Sequence, residues 1–362
     1  MHAFTNRILW RGAIALSLCS ATAQAVSHAP VPLQAEAAPA APLSCRNHQH
    51  AGVRYHVTRL EVAGGYQSVP LGLNNFGIVA GYSVVGGSPK PTVWVGRKAH
   101  VLALLGGTYG KAYGVSDAGK VVGESTTPSD GINMRAVSWI LGAVRDLGGL
   151  ATVNNESFAR AVNAYGLTGG ASYAADRGFR PVIWRDGPRE LPVDGRGFSM
   201  VSAINEAGVA VGYSTFGFST SNYFGAVWHA DGRVGLLAGP GGAQSQATDI
   251  NNHGKVIGFS HDFRPLSWQD GRVTELPSLG GYSGAANGIN DRDEIVGYSA
   301  LPDGAIRGAL WRDGRVFQLD TLLDDEGAGI AIGEAFAINR GGQITAMTTS
   351  WQPLLLTPRP CR

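Results

Sequence analysis

The pattern A-x-x-I-N-x-x-G-x-V-V-G-x-S recurs along the chain and narrows the possible folds more than any other feature. It reads LNNFGIVAGYS from Leu73, VSDAGKVVGES from Val115, VNAYGLTGGAS from Val162 and INEAGVAVGYS from Ile204. It continues as INNHGKVIGFS from Ile250, INDRDEIVGYS from Ile289 and INRGGQITAMT from Ile338, seven copies in all. A tryptophan follows each of the first six: Trp94, Trp139, Trp184, Trp228, Trp268 and Trp311, spaced 45, 45, 44, 40 and 43 residues apart. In the seventh copy Leu356 stands 17 positions after Asn339, the offset of Trp268 from Asn251, so Trp351 is out of register.

Each unit reads as four short strands, A to D. Strand A ends at the Ile-Asn. The N-x-x-G turn follows, its glycine supplying positive φ. Asp293 replaces that glycine in copy six, and aspartate tolerates the left-handed region. Strand B is the V-V-G-x-S run. Strand C ends at the tryptophan. An Asp-Gly turn, a strong hairpin signal, leads into strand D. No window carries sustained helical periodicity with caps. The 52 glycines, about twice ordinary usage, fit a chain of many turns. Seven four-stranded units of this length predict an all-β, seven-bladed β-propeller of antiparallel blades. A trefoil needs units in threes, and a solenoid wants capping units.

The ends of the repeat series predict a closed ring. Copy seven stops at QPLLLTPRPCR, after its strand C. The missing strand D appears at the front of the chain: 56–67 (HVTRLEVAGGYQ) matches 272–283 (RVTELPSLGGYS) nearly residue for residue. The N-terminal strand is therefore expected to complete the last blade, which removes two open sheet edges. Cys45 and Cys361 flank that seam, and in an oxidising compartment a lone pair of thiols reads as a disulfide. Such a bond would contribute up to roughly 5 kcal/mol through loop entropy.

Residues 1–25 read as a secretory signal, with Arg7 and Arg11 before a short apolar core and Ala23-Gln24-Ala25 as the cleavage site. Leu18 before Cys19 disfavours the competing lipoprotein reading. Residues 26–53 begin with an Ala/Pro-rich linker, and 54–362 hold the propeller. The expected location is secreted or periplasmic. No other segment is long and apolar enough for a membrane helix. A net charge of +2 with no basic run gives no reason to expect nucleic acid.

The sequence resembles the HAF-type extracellular repeat family. Its repeat runs A-x-x-I-N-x-x-G-x-V-V-G-x-S, then H-A-F-L-W, then G-x-m-x-D-L. The first block is present in all seven copies; RAVSW at 135–139 and VRDL at 144–147 carry the later ones. The resemblance covers about Arg54 to Pro358. It departs in the middle block, where Arg135, Arg180 and Arg264 stand at the histidine position of three copies. The resemblance implies export and a β-propeller-like fold, and no catalytic activity.

Candidate functional residues divide between structural and chemical readings. The repeat tryptophans are expected to pack between blades. Gly281-Tyr282-Ser283-Gly284-Ala285 imitates a nucleophile elbow, but no strand-to-helix turn is expected there. Asp324, Asp325 and Glu326 form the one dense acidic group, a weak calcium candidate or a solvated loop. His48 and His50 beside Cys45 are a weaker metal candidate.

Loop lengths carry more information. The A–B and C–D turns hardly vary. The B–C and D–A connections do vary, and in an antiparallel blade they emerge on one face. The offset from the Asn position to the Trp runs from 17 in copy five to 23 in copies two and four. Function concentrates on variable loops of a rigid scaffold. The loop 214–224 (STFGFSTSNYF) holds Phe216, Phe218, Tyr223 and Phe224. These rings either bind a ligand or fold over the blade. Arg135, Arg180 and Arg264 lead into strand C from the same face, to form an anion-binding ring or to pair with local acids. The expectation is a monomeric, non-catalytic binding or scaffold module for a glycan, peptide or protein, with no cofactor. The alternatives are an extracellular glycan hydrolase or lyase, or a structural envelope component.

Overall fold

A computed structural model describes residues 52–360, apart from 66, 129–132, 153–154, 176–177, 194–197 and 216–222. It contains seven four-stranded antiparallel sheets. Blade 1 consists of strands A Ser68–Leu73, B Val79–Val85, C Ser88–Val95 and D Lys98–Val101. Blades 2 to 6 repeat that order, beginning at Gly110, Ser157, Ser199, Ser245 and Gly284. Among the described residues every helical turn is of the 3-10 kind, and no helix is long and apolar enough to cross a membrane.

Blade 7 takes strands A to C from Ile332–Ile338, Ile344–Thr348 and Pro353–Pro360. Its fourth strand is Val53–Arg59, which pairs with strand C in continuous register from Val53 opposite Pro360 to Arg59 opposite Leu354. The seam strand thus begins three residues earlier than its likeness to the other D strands predicts. The pairing leaves no unpaired sheet edge at the join.

The inner A strands of successive blades touch one another in a closed circle, including blade 7 to blade 1. Each A strand carries a β-bulge, shifting register across Pro70/Gly72 in blade 1, Ala112/Gly114 in blade 2 and the equivalent positions in the rest. The bulge presses an A-strand carbonyl onto the facing strand B. A Cβ on Gly123 would lie 2.0 Å from the Lys111 oxygen, and one on Gly212 would lie 1.9 Å from that of Met200. That contact is why the V-V-G-x-S motif needs glycine. In blade 7, where strand A has a second irregularity near Gly333, Ala346 takes the position.

The repeat tryptophans are staples. Each of the six is almost fully buried and donates its indole N–H to a carbonyl of the preceding D–A link. Trp94 reaches Glu61 at 2.8 Å, Trp139 reaches Ala103 at 2.7 Å and Trp311 reaches Pro277 at 2.7 Å. The motif serines are structural too: buried Ser125 and Ser299 accept the Leu105 and Leu279 N–H groups at 3.0 Å each.

Candidate site at the variable mouth of the channel

The bulge determines what faces the axis. Bulges re-aim side chains, and the bulged residue is the first x after the Ala of the motif. Around the ring these are Leu71, Tyr113, Arg160, Ser202, Thr248, Asn287 and Phe336, all half-buried. Some of them bridge to the next blade: Thr248 Oγ1 donates to the Ala286 carbonyl at 2.7 Å and Asn287 Nδ2 to that of Ala335 at 2.9 Å. The x residues of V-V-G-x-S pair two places earlier on strand A: Tyr82 with Val69, Glu124 with Lys111, Tyr213 with Met200, Phe259 with Gln246 and Tyr298 with Ala285. Both sets fall at positions that the repeat leaves free.

The densest chemistry joins blades 2 and 3. The Glu124 side chain is 3% exposed. Its Oε1 accepts the Tyr113 phenol at 2.9 Å and the Tyr109 phenol at 3.1 Å. Burial pushes both phenols far up from their ordinary pKa, so both remain donors. Arg160 lies flat on the Tyr113 ring, 3.8 Å from its centroid, with Nη2 3.7 Å from Glu124 Oε2. Burial also raises Tyr213, across blade 4, to about 12. Lys111 stands over the Tyr82 ring at 4.6 Å. Glu124 Oε2 and Arg160 Nε are buried without a hydrogen-bond partner. Buried polar atoms ordinarily have one. Oε2 is instead compensated by charge, through the Arg160 guanidinium at 3.7 Å, so the cluster is a buried ion pair braced by two phenols.

Blades 5 to 7 add a rim on the same face. The Phe259 and Phe263 rings lie parallel, with centroids 5.8 Å apart. The Arg264 guanidinium stacks 3.8 Å over Tyr282, which is 64% exposed. Deeper in blade 7, burial raises Glu334 to about 7 although Asn287 donates to it at 2.9 Å.

The predicted site residues fall out as follows. Tyr223 and Phe224 begin strand C of blade 4 and are half-buried. The Tyr223 hydroxyl lies 3.3 Å from His261 Nδ1. Phe216 and Phe218 lie outside the described residues, as do Cys45, Cys361, His48 and His50. Arg135, Arg180 and Arg264 pair with acids on strand D of their own blades: Asp146 at 3.0 Å, Glu190 at 3.0 Å and Glu275 at 2.8 Å. They are thus spread over three blades, each tied to its own sheet.

The acidic group clasps the seam. Asp324 Oδ2 meets His56 Nδ1 at 3.0 Å and Arg359 at 3.6 Å; Glu326 is 3.5 Å from His56, and Asp325 is 3.7 Å from Arg54. Among the described residues no group of three or more His, Cys, Asp or Glu side chains is placed to hold a metal ion.

The opposite mouth is ringed by the N-x-x-G turns. Each asparagine accepts its own turn's N–H groups at Oδ1, as Asn74 does from Ile78 at 2.9 Å. Its amide then donates to the same position of the next blade. The links run from Asn74 to Ser116, Asn163 to Asn205, Asn205 to Asn251, Asn251 to Asn290 and Asn290 to Asn339, at 3.1 to 3.2 Å. Asn339 to Asn74 closes the circle. Ser116 has no amide to pass on to Asn163.

No protein-family model matches the chain, and no curated protein sequence does. Among solved structures, a catalytically inactive virginiamycin B lyase from Staphylococcus aureus, with quinupristin, aligns with a TM-score of 0.56. The alignment covers 84% of this chain and 99% of that one, at 11% identity. YCF48 bound to D1 peptide aligns with a TM-score of 0.50 over 84% and 94%, also at 11% identity. Both likenesses are of fold.

Proposed function

We propose that this chain is an exported propeller that binds a polar ligand at the variable mouth of its channel without transforming it. The carrying observation is the cluster of Tyr109, Tyr113, Glu124 and Arg160, polar and charged groups gathered between blades 2 and 3 at positions that differ from blade to blade. Export rests on the signal-like N-terminus and on the resemblance to HAF-type repeats. The peptide-bound propeller among the structural neighbours supports the idea that such a scaffold can serve as a binder.

Thermal-shift screening of the purified protein against peptides, polysaccharides and esters tests this. A stabilising ligand should lose at least tenfold in affinity in Arg160→Lys or Glu124→Gln, with the unliganded Tm within a few degrees of wild type. Turnover of any screened compound would replace the binder by an enzyme. Stabilisation unaffected by both substitutions would move the site elsewhere.

A further inference from the structure

Two B–C turns put a bulky aromatic residue where the other described turns of this construction use glycine or, once, aspartate. In blade 5 the Ser260 N–H donates to the Arg264 carbonyl and the Phe263 N–H to that of Ser260, and Phe263 has φ 57°. In blade 7 Thr348, Gln352 and Trp351 close the same turn, with Trp351 at φ 66°. The A–B turns share this construction, with glycine at that position in six blades and Asp293 in the other. The B–C turn of blade 6, Leu301 to Ala305, puts Gly304 there. Side chains other than those of Asn and Asp enter this region at a steric cost. Glycine would therefore suit the fold better at both places. Leu141, the third large apolar residue with positive φ among the described residues, stands in a C–D turn at the opposite end.

Neither ring is sunk into its blade: Phe263 is 36% and Trp351 37% exposed. Phe263 rests one face against Phe259 of strand B. Polar groups flank each ring, Asp262 and Arg264 beside Phe263, Ser350 and Gln352 beside Trp351. Local strain held at an exposed position points to function more than to folding.

We propose that Phe263 and Trp351 are stacking platforms for hexopyranose units of an oligosaccharide bound across the variable mouth. A pyranose offers a C–H face of slightly positive charge to the negative face of an aromatic ring. Its hydroxyl edge meets the flanking polar groups. A protein partner would instead want a contiguous apolar centre depleted of charge, whereas these rings stand on separate blades with charged or polar neighbours. The assignment rests on the reading of this face as the binding surface.

Trp351 is a built-in reporter, because the six repeat tryptophans are buried and their indole donors committed, and the Trp351→Phe comparison subtracts the emission of Trp10 in the signal-like segment. The full-length protein would be titrated with cellohexaose, chitohexaose and mannohexaose while its tryptophan emission is followed, with Trp351→Phe as the comparison. The expected result is a saturable change for at least one sugar. Affinity should fall at least tenfold in Phe263→Gly and in Trp351→Gly, read by calorimetry, while both variants melt at or above the wild-type temperature. No response to any of the three sugars overturns the assignment. So does a lowered Tm in both glycine variants, which would make the rings packing elements. If sugar binding survives both glycine variants but falls in Arg160→Lys, the platforms are lost and the mouth remains a binding site.

Discussion

The Asn339 side-chain amide donates to the Asn74 carbonyl at 2.9 Å, joining residues 265 positions apart. It is the link of the amide circle that crosses the seam. Truncating the donating side chain leaves buried backbone groups unmet, which costs about 1–3 kcal/mol. Asn339→Ala and Asn205→Ala should both lower stability by that amount in denaturant melts. Ser116→Asn should add the one absent link and raise stability by about 0.5–1.5 kcal/mol. A neutral or destabilising Ser116→Asn would show that the circle is geometry without energy.

Gly123 should resist replacement. A methyl group there would lie 2.0 Å from the Lys111 oxygen. Overpacking of this kind costs about 1–3 kcal/mol, and backbone has less room to yield than a side chain. Gly123→Ala should fall at or above that range, while Ala346→Gly in blade 7 should cost only about 1 kcal/mol through backbone entropy. Equal effects at the two sites would contradict the bulge as the cause.

Glu334 should make stability depend on pH. Burial raises it from 4.5 to about 7. A carboxyl raised on folding stabilises fully below its unfolded pKa and loses that contribution as pH rises through the folded value. The wild-type Tm is therefore expected to decline between about pH 5 and pH 8, and Glu334→Gln to flatten part of the slope. Asp249, raised to about 7 by burial, and Asp320, also raised by burial, contribute to the remainder. A Tm that rises over this window in wild type would refute the assignment.

The seam clasp should matter for opening more than for global packing. Asp324 joins His56 and Arg359, and its backbone N–H donates to the Tyr55 carbonyl at 2.9 Å. Asp324→Ala is expected to speed hydrogen exchange in Val53–Arg59 at least several-fold while leaving blades 3 to 5 protected. Uniformly faster exchange would mean that the ring opens only by global unfolding.

The scaffold was legible because its structural roles repeat. Six blades carry the bulge-facing glycine, six the Asn at the turn and six the tryptophan staple. Asp293 adopts φ 60°, as its tolerance of that region predicts. The asparagine itself reads from sequence only as a turn former; its amide's partner lies about forty residues away, in the next blade. The cluster between blades 2 and 3 was hidden for the opposite reason. Tyr113, Glu124 and Arg160 occupy the x positions, which carry no pattern, and Arg160 meets the other two only because blade 3 folds beside blade 2. The residue differences from copy to copy within those columns were the available signal.

Because Val53–Arg59 completes the last sheet, the earliest part of the domain to leave the ribosome must wait for the latest. Six blades can hydrogen-bond internally as they emerge, but the circle stays open until Pro353–Pro360 is made. A nascent chain halted before that point would present a bare strand and an orphaned edge to its surroundings. Premature termination even a few residues early should therefore expose the product to degradation out of proportion to the length lost.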